Sequence, residues 1–442
     1  MSETPEHIDR TPNEVASDGI SHSSDDVNIR PAQRKLYQRN VSYSSRAKPR
    51  TKLIAVIVTV IIAASLCYVF IISPKLRKHV NTENSILYSG SSISGQPSHL
   101  WLIQSDGTNN RQLTFGGGND TSPTFSSDGN QVAFLSDRDG GINQVYLVDA
   151  DGKGVFELTH TKVPKSKPRF NPVDPNQVFY IASGAIEETS VRTGATDRLL
   201  PRVEVHTALP DDQNDSMTAQ PATLIRDYEV GSVGTVDSPV AALIAVESTG
   251  SRESLAVMPD VNGTVIEGRD IGAGAKKAVA PLLSADTITV QVSPTTKDFL
   301  VAALGIPIGP HGPFISAIIN SSLEGQLSAE PLFVARTHDS GLINPVISPD
   351  GTMILVEGVH NYNTANASIE GLMALNMTGK NLTRLVPGYV RDAFFSRDGK
   401  SIYFFQKSKN GTDTLLHLAP SVGLTPVVQL SNMNTAEYSP QT

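Results

Sequence analysis

The chain has 442 residues, is 39% hydrophobic, contains 34 glycines and 28 prolines, and carries a single cysteine. That composition suits short strands between turns better than long helices, and one cysteine excludes any intrachain disulfide. A net charge of −8 argues against nucleic-acid binding, which needs a basic footprint.

The charge is unevenly placed. Residues 1–26 carry seven acids and only Arg10, whereas 27–52 carry eight Lys or Arg and no acid. With Lys75, Arg77 and Lys78 counted among the bases, the remainder from residue 83 stands at −13. The tail 1–52 lacks apolar periodicity and is rich in Ser, Pro and charge, which predicts a disordered segment. Its basic half either lies against anionic lipid or serves only to set topology.

From Leu53 to Pro74 no residue is charged. A run of about 20 apolar helical residues spans the hydrocarbon core of a bilayer, so 53–74 is expected to be a transmembrane helix. Seven bases in the 22 residues before it, against three after it, place the N-terminus in the cytoplasm. The 52-residue tail and long apolar run favour an uncleaved signal-anchor over a cleaved signal peptide. Ala64-Ser65-Leu66-Cys67 is a poor lipoprotein signal, so Cys67 reads as a plain membrane-buried cysteine. Residues 75–82 form a linker, and 83–442 an acidic extracytoplasmic domain of the cell envelope.

That domain repeats itself. SPTFSSDGNQVAFLSD from Ser122 reads as a strand ending at Phe125, a turn at Asp128-Gly129, and a strand through Val132 and Phe134. The phrase returns as PRFNPVDPNQVFYIAS, NPVISPDGTMILVEG and DAFFSRDGKSIYFF, with weaker copies from 236 and 292. Anchors at Phe125, Phe170, Val236, Val292, Ile347 and Phe395 lie 45 to 66 residues apart. Third and fourth strands follow at 144–149 and 156–159, with Asp-Gly turns that supply the positive φ of tight hairpins. Four short antiparallel strands per repeat predict an all-β propeller.

These phrases, with the DADG…ELT continuation, resemble the WD-type repeats of TolB-like β-propellers, strongly in 97–183 and 343–430 and weakly between. The resemblance implies a toroid of four-stranded blades and marks a fold more than an activity. Ala436-Glu437-Tyr438 reads as a first strand with no second, and 85–89 as a second strand with no first. The two are expected to share the last blade and close the ring. Tyr438 as the final anchor gives seven blades, with six or eight open because 183–290 is degenerate.

Sites of chemistry are sparse. Asp149-Ala150-Asp151-Gly152 begins like a calcium loop but meets His160 where that loop needs Glu. His99, His160, His206, His311, His338, His360 and His417 form no ligand-spaced pair, and no G-x-S-x-G elbow is present. Eight Asn-x-Ser/Thr sequons, Asn119 among them, are read as products of polar turns. No catalytic, cofactor or metal residue is assigned, and the chain is expected not to be an enzyme. The leading expectation is a scaffold binding a protein or envelope component through loops, with 203–221 and 358–367 as candidate contact segments. The alternative is a lyase-like enzyme acting on envelope saccharide.

Overall fold

Each repeat phrase folds as the hairpin that its alternation and its turn dictate. In the computed structural model, the described residues are 81–91, 93, 95–200, 223–258, 260–261, 266–267, 284–293, 297–308, 312–323, 330–362, 364–407, 413–419, 423–430 and 436–438. They form seven four-stranded antiparallel sheets, the blades of a β-propeller. The tail, the apolar run 53–74 and most of the linker lie outside them. Among the described residues no helix is long and apolar enough to cross a membrane.

The inner strands of blades one to six are Asp120–Phe125, Lys165–Phe170, Leu224–Thr235, Thr287–Val292, Gly341–Ile347 and Val390–Phe395. Blade seven takes its inner strand, Ala436–Tyr438, from the far end of the chain, where it pairs with Ser85–Gly90. This is the expected closure, and the ring has seven blades.

The Asp-Gly turns explain themselves locally. In Ser126-Asp128, Ser348-Asp350 and Ser396-Asp398 the serine hydroxyl donates to the aspartate at 2.5–2.6 Å. Two residues beyond each aspartate, the N–H of Asn130, Thr352 or Lys400 donates to the same oxygen at 3.1 Å. The Ser348 and Ser396 hydroxyls hold the Asp350 and Asp398 carboxyls below the usual carboxylate range. These carboxylates build turns.

The core is a ring of blade-to-blade contacts. Val132 and Phe134 on the second strand of blade one pack with Leu87, Leu100 and Leu102 of blade seven. The alternate residues Ala133 and Leu135 pack with Phe170, Val178 and Tyr180 of blade two. Strands buried on both faces therefore read as continuous apolar runs such as VAFL. The same alternation recurs around the ring, ending with Tyr403 and Phe405 of blade six against Ile86 and Tyr88 of blade seven.

One anchor is misplaced. Val236 is 99% exposed and caps the turn between Leu224–Thr235 and Ser238–Thr249 instead of ending an inner strand. The inner strand of blade three is LIRDYEVGSVGT, where Val230 pairs with Leu243. Its second half carries glycines and small residues, so the apolar alternation that marks the other copies is lost there.

Candidate ligand channel

The inner strands surround a central channel, and a repeated irregularity shapes its wall. In blades one, two, five and six the register slips between Thr121 and Thr124, Ser166 and Arg169, Ile343 and Val346, and Arg391 and Phe394. At each slip one residue takes positive φ: Ser122 (50°), Lys167 (49°), Asn344 (50°) and Asp392 (52°). Pro123, Pro168 and Pro345 follow three of them, and a proline at a bulge forfeits no ladder hydrogen bond. Neighbouring blades fix the bulges. Asn344 N–H donates to Thr289 Oγ1 at 3.0 Å, and the Tyr228 hydroxyl donates to the Lys167 carbonyl at 2.6 Å.

The channel holds a cavity of about 650 Å³. Blades two and three give it a charged wall, where Lys167 pairs with Asp227 and Arg169 lies 3.5 Å from Glu229. Burial raises the Glu229 carboxyl above its ordinary range, against the opposing charge of Arg169. Across the ring, Val346, Ala393 and Phe394 give an apolar wall, and Phe394 stacks on Tyr403 with ring centroids 5.5 Å apart. Thr124 and Gln291 line the cavity between these walls.

The second-strand residue paired with the position before the bulge is Leu135, Ile181 and Phe405 in blades one, two and six, but Glu357 in blade five. Glu357 is 2% exposed. Its Oε2 accepts from Asn344 Nδ2 at 3.1 Å, and its Oε1 accepts from Asp392 N–H at 3.0 Å. Burial pushes its carboxyl up to about 7. It thereby ties together the bulges of blades five and six.

Residues 203–221 fall outside the described residues. In 358–367, Tyr362 packs with Leu304, Ile343 and Val359, and His360 Nδ1 meets Ser340 Oγ at 2.8 Å, so part of that excursion folds back onto blades four and five. His99, His160 and His338 each face a single carboxylate, on Asp120, Glu157 and Asp286. His206 and His311 fall outside the described residues, and His417 lies on the third strand of blade six. Among the described residues, no three His, Cys, Asp or Glu side chains group to hold a metal. The channel residues were missed in the sequence, although the X-Pro bulges and the Glu in ILVEGVH were visible there.

No family model matches the chain. Over 108 residues it is 28% identical to a Bacillus subtilis protein named "Uncharacterized peptidase YuxL", a match covering 24% of this chain and 16% of that one. Among solved structures, prolyl endopeptidases are similar with a TM-score of 0.52 at 13% identity, covering 80% of this chain and 49% of theirs. TolB from Acinetobacter baumannii is similar with a TM-score of 0.44 at 13% identity, covering 80% of this chain and 66% of its own. The chain thus spans less than two thirds of each of these proteins. The fold is an all-β propeller of seven four-stranded blades.

The peptidase name carried by a relative overturns the expectation that the chain is not an enzyme. That expectation rested on missing contiguous motifs, and catalytic groups assemble in space from distant segments that motif scanning does not read.

Proposed function

We propose that the protein is a membrane-anchored, extracytoplasmic propeller whose channel takes up peptide segments, in a peptide-processing role. The carrying observation is the pairing of a charged wall, Lys167–Asp227 and Arg169–Glu229, with the apolar wall of Val346, Ala393 and Phe394. A peptide presents the complementary set of carboxylate, ammonium, backbone amides and apolar side chains. A carboxylate can take over Arg169, an ammonium can take over Glu229, and a side chain can lie on Phe394. The cavity volume of about 650 Å³ falls within the range that holds small ligands. The relative named as a peptidase supports the peptide reading. The peptide can equally be an exposed segment of an envelope protein, which keeps the partner-binding role expected from sequence. The uncharged run 53–74 and the seven bases before it support the anchor and its orientation.

The test is calorimetric titration of the purified full-length protein in detergent with short peptides that contain phenylalanine. Arg169→Ala and Glu229→Ala should each weaken binding about tenfold or more, the equivalent of about 1.4 kcal/mol. Absence of binding, or binding indifferent to both substitutions, would overturn the proposal.

A further inference from the structure

Glu357 is poorly explained as a structural residue alone. In blades one, two and six its place belongs to Leu135, Ile181 and Phe405, so a register slip does not by itself require a carboxylate there, although blade three carries the buried Glu247 opposite its own slip. Burying one is unfavourable unless it is hydrogen-bonded or takes up a proton. It reaches Asn344 and Asp392, the two positive-φ residues that precede Val346 and Phe394 on the apolar wall. Asp392 itself lines the cavity. The buried carboxylate therefore accepts from the backbone N–H of a residue that lines the cavity and whose own carboxylate accepts from Arg391 Nη1.

The charges around Glu357 pull in opposite directions. Asp392 disfavours its ionised form, whereas Arg391 and the two hydrogen bonds favour it. Tyr362, from the hairpin of the same blade, stays neutral because burial raises its hydroxyl. Asn344 suits both protonation states. Its Nδ2 donates to ionised Oε2, and a flipped amide would offer Oδ1 to a proton carried there. Asp392 N–H donates to Oε1 in either state.

Resting on the channel reading above, we propose that Asp392, Glu357 and Asn344 form a proton-linked seat for a ligand ammonium. An ammonium that takes over the Asp392 carboxylate from Arg391 adds a positive charge against the like charge that opposes ionisation of Glu357. The Oε2–H proton then leaves to solvent, and Asn344 turns its NH₂ toward the bare oxygen. By reciprocity, raising the pH strengthens ammonium binding. Glu357 is a positioning residue here and touches no ligand. The seat selects peptides with a cationic side chain or a free amine near an apolar group.

The probes are N-acetyl-lysyl-phenylalanine, whose amine stays charged between pH 6 and 8, and its norleucine counterpart, which keeps the C-terminal carboxylate but lacks the amine. They are titrated into the full-length protein at both pH values, with proton release read from buffers of different ionisation enthalpy. The lysyl peptide should bind about fivefold more tightly at pH 8 than at pH 6, with a proton released, and the norleucyl peptide should show neither effect. Glu357→Gln, its fold checked by circular dichroism, should bind the lysyl peptide with a flat pH profile. Asp392→Asn should lose the preference for lysyl over norleucyl. If the lysyl peptide binds with the same pH profile and proton release in Glu357→Gln, the proton link is overturned and the channel reading stands. If neither peptide binds at either pH, both readings fall.

Discussion

Ile86 and Tyr438 face one another across an antiparallel ladder, so one blade is assembled from the two ends of the described ring. Leu87 pairs with Glu437 and Tyr88 with Ala436 in the same ladder. Deleting residues 436–442 should strip this strand, bare the edge of Ser85–Gly90, and loosen the cluster that holds Ile86 and Tyr88 against Phe405. We expect the full chain to lose about 3 kcal/mol or more, or to aggregate, where trimming a frayed terminus would change little. Thermal melting with light scattering reads the outcome, and unchanged melting would deny this strand its role in closure.

Asp120 is fully buried at the start of the inner strand of blade one. Arg138 donates to both of its oxygens, at 2.7 and 2.8 Å, and His99 Nδ1 lies 3.3 Å away. The Arg138 guanidinium also covers Tyr146, 5.2 Å from the ring centroid. Asp120→Ala strands that cation and should cost about 3–5 kcal/mol by urea denaturation. Adding Arg138→Leu should recover part of the loss, because the orphaned charge is then gone. A single-variant loss within about 0.5 kcal/mol, as for an ordinary surface site, would contradict this account.

Glu357 makes stability depend on pH with a definite sign. Burial pushes its carboxyl from an ordinary 4.5 to about 7, so the folded protein holds the proton more tightly than the unfolded chain. Its contribution is fully present below about pH 4.5 and is lost as pH rises through about 7. Glu357→Gln keeps an acceptor for Asp392 N–H and does not titrate. Relative to the native protein it should gain stability between pH 5 and pH 8, by up to a few kcal/mol. Chemical denaturation at several pH values measures this, and parallel profiles would place the titration elsewhere.

The charge asymmetry around 53–74 predicts sidedness. Protease added to intact cells, or to spheroplasts where an outer layer intervenes, should digest the C-terminal domain and spare a tag at the N-terminus. Loss of the tag with the domain intact would invert the topology.

The propeller was legible in the sequence because a blade is a local object. Ser126-Asp128-Gly129 and its copies close their turns through contacts two residues apart, and strands such as QVAFLS carry their burial in their own composition. Ring closure was legible too, since an unpaired first strand and an unpaired second strand can be matched by kind. Blade three was misphased at Val236, where glycines replace the apolar alternation of LIRDYEVGSVGT. The channel was decided only in three dimensions. Lys167 meets Asp227, and Glu357 meets Asp392, across blade boundaries that sequence spacing does not encode. Whether a carboxylate inside an apolar run is buried, satisfied and shifted depends on the bulges of two neighbouring strands. Those bulges take their final form only when the closed ring packs the blades against one another.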